Sequence, residues 1–509
     1  MKILDCTLRD GGYYTNWDFD KNIVNRYIEA TNVLPIDYLE IGYRSIPSSS
    51  YLGKYAYCPK YEILDIRNKS AKKLSIMLNE KDVRPAHLEI LTKPLKGIID
   101  MVRMAIDPKN IVRAIDLAEA LKEQGFEVGF NVMYMSKWIE YKDFMRQINN
   151  INNIVDVFCM VDSFGGITPH EVGNIINLVR SNTSVPIGFH GHNNLELGLI
   201  NTLVAIDNNV DFVDATVLGM GRGAGNLKIE LLLTYLSKHY NLNVDFNALG
   251  NLISAFHPLF EKYQWGTNLP YMISGANSFP QKDVMDMVSN RLCSFNSIVR
   301  VLENKKANVE DNEKFPVFKN RRAENVLIVG GGENVKKHID GIQEFINSKD
   351  DITIIHASSR NASNFKFIDT PQIFCLVGNE GQRIEEAFNG FNSFVGTCIL
   401  PPFPRKMGTE VPSLVHEKTF ELNSIEFTDE YQDSCTSLAF QIALDMQAKN
   451  IFVIGYDGYP DGLMTSKEKD LTNENEYILS AFSSYYREKV VSLTPTVYDM
   501  KIQSLYQDL

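Results

Sequence analysis

Residues 99–133 read IDMVRMAIDPKNIVRAIDLAEALKEQGFEVGFNVM, and this stretch carries the pattern that organises the first half of the chain. IDMVRMAI (99–106) is a short apolar run of strand length. In NIVRAIDLAEALKEQG (110–125) the apolar residues recur at helical spacing before a terminating glycine. EVGFNVM (127–133) is again strand-like. Strand, helix, strand is a crossover unit, and crossovers join parallel strands. The alternation extends both ways. Strand-like runs precede it at KILDC (2–6), YLEIG (38–42) and LSIML (74–78), and follow it at VFCMV (157–161), PIGFH (186–190) and FVDATV (212–217). Eight such units fit a closed (β/α)8 barrel of about 250 residues better than an open doubly wound sheet. Polar residues cluster just after most of these strands, the catalytic face of such a barrel.

The expected fold class is α/β: an N-terminal (β/α)8 TIM barrel with a helical extension, then a Rossmann-like α/β domain. The barrel is placed at 1–230 and its helical extension at 231–303. The polar, charge-dense stretch ENKKANVEDNEKFPVFKNRR suggests a linker at 304–322. From NVLIVGGGENVKKHIDGI a second strand–glycine–helix pattern opens a domain over 323–509, with further strands at ITIIHAS, IFCLVG and NIFVIGYDG.

Composition narrows the function classes. The chain has 509 residues, 44% hydrophobic and 22% charged, the profile of an ordinary globular protein. Its net charge of -12, without a long basic run, argues against a nucleic-acid partner. The seven cysteines (Cys6, Cys58, Cys159, Cys293, Cys375, Cys398 and Cys435) are never spaced as CxxC and read as free thiols of a reducing compartment. No signal-peptide pattern opens the chain, and no window approaches the roughly 18 apolar residues of a membrane span. A cytoplasmic protein without a membrane partner is expected.

Three constellations carry chemistry. Leu8-Arg9-Asp10-Gly11-Gly12 follows strand one, where a carboxylate can ligate a hard divalent cation and the adjacent guanidinium can hold an oxyanion beside it. Alone, the pair also fits a turn with a surface ion pair. His190-Gly191-His192 follows strand seven, and in extended chain residues i and i+2 project to one side, so both imidazoles can reach one ion. Asp10 with the two histidines forms a one-carboxylate, two-imidazole set with open positions for both oxygens of a chelating 2-oxo acid. After strand eight, LGMGRGAGN (218–226) is dense enough in glycine for close backbone approach to a ligand. Arg103, Asn131, Asp162 and Ser163 sit at strand ends, where substrate contacts or plain rim residues are both expected.

TLRDGG, YLEIG, VDSFGG, GFHGHNN and GMGRGAGN come in the order and at the spacing that resemble the DRE-TIM metallolyases (HMGL-like), most closely the 4-hydroxy-2-oxovalerate aldolase branch. The resemblance covers about 1–300. It implies that Asp10, His190 and His192 are metal ligands, for Mn²⁺ or Mg²⁺ with Zn²⁺ as an alternative, and that Asn226 lies at or near the metal. It implies that Arg9 stabilises an enolate oxygen and that Glu40 positions that arginine. One departure stands out: where the aldolase branch carries a histidine base after the RDG motif, this sequence has Tyr13. A phenol with a pKa near 10 is a poor base at neutral pH, so Tyr13 or Tyr14 is expected to donate a proton or position a water instead.

In the second half, VLIVGGGENV is a strand and glycine turn that could offer the amides of Gly330, Gly331 and Gly332 to a phosphate, although it does not give GxGxxG. SLAFQIALDMQAKNIFVIGYDG (437–458) is similar to part of the sialyltransferase-like and flagellin-modification glycosyltransferase-like domains. That similarity implies a nucleotide or nucleotide-sugar ligand and a role in bacterial surface-glycan synthesis. Together the resemblances imply a cytoplasmic, homo-oligomeric, metal-dependent carbon–carbon lyase (aldolase) that acts through the enolate of pyruvate or a related 2-oxo acid, with an aldehyde as second substrate. An acyl-CoA condensing enzyme or lyase is the first alternative. A non-catalytic barrel fused to a nucleotide-sugar-binding domain is the second.

Overall fold

In the computed structural model all residues are described except 49–50, 290–294, 308–312, 320–321, 379, 389–393, 406–408, 410, 460–465, 487–489 and 508–509. The chain divides into two compact units, Met1–Asp286 and Met287–Leu509. In the first, eight parallel strands close into a barrel: β1 (Lys2–Asp5), β2 (Tyr38–Tyr43), β3 (Lys73–Asn79), β4 (Met101–Ile106), β5 (Glu127–Val132), β6 (Val157–Asp162), β7 (Ile187–Gly191) and β8 (Phe212–Ala215). β8 pairs with both β1 and β7, so the strands bearing the RD and HxH motifs flank it. The helix Ile111–Gln124 buries Ile111, Ala114, Leu117, Ala118 and Leu121 along one stripe. It stops at Gly125, whose φ of +89° lets its amide reach the last-turn carbonyls.

Strand alternation builds the site. Leu4, Tyr38, Met101, Val157 and Phe212 form a small buried cluster, apart from the larger core to which Ile3, Leu39 and Val102 belong. Two residues further along the same strands, on the same side, stand Glu40, Arg103 and Asp214, all buried. An apolar plug thus underlies a charged layer. Beyond the barrel, helices Ile229–His239, Phe246–Tyr263 and Leu269–Ala276 and the first residues of Gln281–Ser289 complete the first unit.

In the second unit, β9 (Asn325–Val329), β10 (Ile352–His356), β11 (Gln372–Cys375), β12 (Thr397–Leu400), β13 (Thr419–Glu421), β14 (Asn450–Ile454), β15 (Val490–Ser492) and β16 (Lys501–Ile502) form one open parallel sheet. Its order is β13-β12-β11-β10-β9-β14-β15-β16, so the winding direction reverses between β9 and β14. Val326 and Ile328 belong to one core, Leu327 and Val329 to another, so both faces of the sheet are covered.

The stretch read as a linker is built into this unit in part, while its residues 308–312 and 320–321 lie outside the described residues. Phe315 is buried and Val317 bridges to Glu421. The charges flanking these residues hid an apolar side chain and an edge pairing. Six cysteines are free thiols, and Cys293 lies outside the described residues. Among the described residues no helix is long and apolar enough to cross a membrane.

Candidate active site and metal centre

The residues Thr7–Asp10 form a single helical turn directly after β1, which places Arg9 and Asp10 over the barrel mouth. His190 lies on β7, and the chain beyond it is zipped to the glycine-rich loop: His192 bridges Asn226, and the Asn193 amide donates to the Gly225 carbonyl at 2.9 Å. Gly225 has a φ of +78°, and a Cβ there would lie 2.2 Å from the Gly219 carbonyl oxygen, so the loop closes only around glycine.

Asp10, His190 and His192 converge, with one ligand atom of each within 4.8 Å of the others. Asp10 Oδ1 accepts from Arg9 Nη1 at 2.7 Å and Oδ2 accepts from Asn226 Nδ2 at 2.5 Å. His190 Nδ1 sits 2.9 Å from Asp214 Oδ2, and its Nε2 is 3.7 Å from Asp10 Oδ2. With Nδ1 engaged by a carboxylate, Nε2 is left to face the site as a ligand nitrogen. Below, Arg9 Nε donates to Glu40 Oε1 at 2.6 Å, and Arg103 joins Glu40 Oε2 at 3.3 Å to Asp214 Oδ2 at 2.7 Å. Every carboxylate in the chain Asp10–Arg9–Glu40–Arg103–Asp214 therefore has a cationic partner.

Electrostatics leave the donors ready to ligate. Burial alone would raise both aspartates, but at Asp10 the Arg9 guanidinium together with the other polar neighbours, the Asn226 amide among them, outweighs it and holds that carboxyl below its usual range. Arg103 and His190 likewise bring Asp214 down to about 2. Burial, reinforced by the neighbouring His190, lowers His192 to about 4, so its ring is neutral at neutral pH. His192 Nδ1 and Asn226 Oδ1 are buried without a hydrogen-bond partner, the mark of polar atoms waiting for a ligand. A carboxylate with two imidazoles suits a divalent cation. Cys6, His190 and Asp214 also converge. However, burial raises the Cys6 thiol well above its usual range, and its Sγ donates to the Ala215 carbonyl, so that trio is no thiolate site.

A cavity of about 490 Å³ opens over the three ligating candidates. Arg9, Tyr13, Asn131 and Ser163 line it, and Asn131 Oδ1 is buried and unpartnered. The Tyr13 hydroxyl lies 3.2 Å from that of Tyr43, and Arg222 stands over the Tyr13 ring at 5.0 Å. Ser163 Oγ accepts from the Tyr134 amide.

Three expectations are corrected. Arg103 does not line the cavity; it is buried beneath it as the link between Glu40 and Asp214. Asp162 is not at the rim either: its carboxylate accepts from the Gly165 and Ile167 amides and ties the loop after β6. Tyr14 points away from the chemistry and donates to the Gly223 carbonyl. Sequence reasoning missed Asp214, Tyr43 and Arg222. Asp214 left a signal, a lone charge inside the apolar strand FVDATV, two residues on from Phe212.

The HMGL-like family matches residues 1–254. Over 252 residues, 48% of this chain, the sequence is 31% identical to 4-hydroxy-2-oxovalerate aldolase of Carboxydothermus hydrogenoformans, of which it covers 73%. The chain belongs to the HMGL-like family. It is also 29% identical over 245 residues to oxaloacetate decarboxylase of Mycobacterium tuberculosis, covering 47% of this chain and 71% of that one. A crystal structure of the N-terminal domain of a candidate aldolase from Bacteroides vulgatus matches 59% of this chain and all of its own. The identity is 64% and the TM-score 0.57. As an HMGL-like (DRE-TIM) protein the chain is a metal-dependent carbon–carbon lyase.

The expected ligand-binding glycines of the second unit line another cavity, of about 560 Å³, at the ends of β9, β10 and β14. Two of the three do not offer free amides. Gly330 donates to the Ile454 carbonyl and Gly332 to that of Gly455, both at 2.8 Å. A Cβ on Gly330 would lie 2.5 Å from the Gly455 carbonyl oxygen, and one on Gly332 2.4 Å from the Asp457 carboxyl carbon. They are glycines because β9 and β14 end in close contact.

Proposed function

We propose that the barrel forms or cleaves a carbon–carbon bond through the enolate of pyruvate or a related 2-oxo acid. The convergence of Asp10, His190 and His192 beside Arg9 is the observation that carries this reading. These three residues, with Asn226 adjacent, would hold a divalent cation, Mn²⁺ or Mg²⁺ ahead of Zn²⁺, which when bound polarises the 2-oxo carbonyl and acidifies the neighbouring C–H. Arg9 spends Nε on Glu40 and Nη1 on Asp10, so Nη2, without a hydrogen-bond partner among the described residues, is available to the developing enolate oxygen. Glu40, Arg103 and Asp214 keep that guanidinium and the His190 ring fixed while charge develops. Tyr13 and Tyr43, hydroxyl to hydroxyl in the wall, hold a proton for the new alkoxide or orient a water. Asn131 and Ser163 are the substrate contacts retained from the expected set. The names of the relatives, an aldolase and a decarboxylase, favour a 2-oxo acid over an acyl-CoA.

The test is the exchange of pyruvate methyl protons in deuterated water, followed by NMR with Mg²⁺ or Zn²⁺ present and after chelation. Exchange that depends on the cation supports the reading. No exchange from pyruvate, with exchange from acetyl-CoA, moves the acyl-CoA alternative ahead.

For the second unit we infer a Rossmann-like domain that binds a nucleotide or nucleotide-sugar, in keeping with a surface-glycan pathway. Support comes from the cavity's place at the reversal between β9 and β14, where open parallel sheets bind ligands. Titration of the whole protein with nucleotides by calorimetry checks it, and an absence of binding across the panel would refute it.

A further inference from the structure

The cavity over the ligating residues does not stand alone in the first unit. A second one, of about 820 Å³, adjoins it, and the two share Tyr13, Tyr43, Asn79, Lys81, Arg222 and Lys282. Asp10, His190 and His192 line only the inner cavity, whereas the outer is walled by apolar side chains that include Trp17, Ile46, Leu52 and Val83. The shared boundary is therefore where a second substrate would meet the first.

Its charge is unusual for a chain of net charge -12: the shared residues hold three cations and no carboxylate. Arg9 and Arg103 below are fully neutralised by Asp10, Glu40 and Asp214. By contrast, the side chains of Lys81, Arg222 and Lys282 have no carboxylate partner among the described residues. Arg222 is held instead by its stacking on Tyr13. A guanidinium fixed by its face keeps its N–H edge available for an oxyanion. The outer wall carries one acid, Asp82. The inner wall carries Asp107 and Asp283 besides Asp10 and the Arg113-bound Glu80.

Resting on the reading of the barrel as an aldolase, we infer that the outer cavity receives the aldehyde acceptor and that this acceptor bears an anionic group, a phosphate or a carboxylate, held by Arg222 with Lys81 and Lys282. In the addition, the 2-oxo acid loses a proton from C3 and C3 bonds to the aldehyde carbon. The carbonyl electron pair moves to oxygen, which takes up a proton, so the product is a 4-hydroxy-2-oxo acid with nothing released. All three cations line both cavities, so they hold the anionic group of the acceptor beside the boundary where the new bond forms.

The experiment uses the full-length protein with pyruvate and Mn²⁺ and compares kcat/KM for propanal, succinic semialdehyde and glyceraldehyde 3-phosphate. One anionic aldehyde should exceed propanal by about tenfold or more, and which one wins separates carboxylate from phosphate. Arg222→Met should collapse that ratio within the same variant, so any general loss of activity cancels. A wild-type ratio near one would overturn the inference. So would a ratio unchanged in Arg222→Met alongside a raised KM for pyruvate, since the cations would then serve the 2-oxo acid. Proton exchange into pyruvate separates the layers: exchange without acceptor preference overturns this inference alone, and no exchange overturns both.

Discussion

Replacing Asp214 by asparagine removes the carboxylate that joins His190 to Arg103. Asp214 is buried, accepting from Arg103 Nη2 at 2.7 Å and facing His190 Nδ1 at 2.9 Å. Two costs follow. Arg103 keeps only Glu40, at 3.3 Å, and stripping one partner from a buried ion pair costs about 3–5 kcal/mol of stability. The lower end is expected because Glu40 remains. In addition, an asparagine amide can donate to His190 Nδ1, which forces the ring proton onto Nε2, the nitrogen facing Asp10. Loss of such a carboxylate behind a ligating histidine typically weakens metal binding by about 10–100-fold, or about 1.4–2.7 kcal/mol. Mn²⁺ binding followed by the EPR signal of free ion, on protein shown by circular dichroism to be folded, reads the second cost. Thermal unfolding without metal reads the first. Wild-type Mn²⁺ affinity in folded Asp214→Asn would refute the claim that this carboxylate sets the His190 tautomer.

Arg9→Lys should lose kcat on the order of 10²-fold in pyruvate proton exchange while Mn²⁺ stays bound, because an ammonium cannot serve Glu40, Asp10 and an enolate at once. Near-normal exchange would remove Arg9 from the chemistry. Gly225→Ala should cost at least about 1–3 kcal/mol from its left-handed backbone alone and weaken metal binding through Asn226, as read by thermal unfolding and Mn²⁺ titration. An unchanged melting temperature would count against the loop geometry. In the second unit, burial lowers His356 from 6.5 to about 4. Between those values the unfolded chain binds the proton more readily, so stability should fall as pH drops through the window, by about 3 kcal/mol in all. Hydrogen exchange over 352–356 should report that slope, and His356→Phe, which keeps the stack on Phe374, should flatten it.

Much of the barrel was legible because strands buried on both sides read as apolar runs and the helix between β4 and β5 ends on Gly125. Observed strand limits therefore fall within two residues of those read from the sequence. The RD and HxH motifs sit at strand ends and could be placed without side-chain geometry. The support beneath them was less visible. Arg103 and Asp162 look like rim residues in one dimension, yet the first holds two carboxylates under the floor and the second ties a loop. Both roles depend on which partner lies across the barrel. In the second unit β12, β13, β15 and β16 run two to four residues, too short for periodicity to declare them. The glycines of Gly330–Gly332 signalled close approach, but of one strand end to another.

The central claim is that Asp10, His190 and His192 hold one divalent cation. A crystal grown with Mn²⁺ and measured at an anomalous wavelength tests it directly. The account predicts a single strong peak about 2.0–2.3 Å from a carboxylate oxygen of Asp10 and a nitrogen of each histidine, with His190 bound through Nε2. A peak bound elsewhere, or none at these residues with Mn²⁺ in excess, would contradict it.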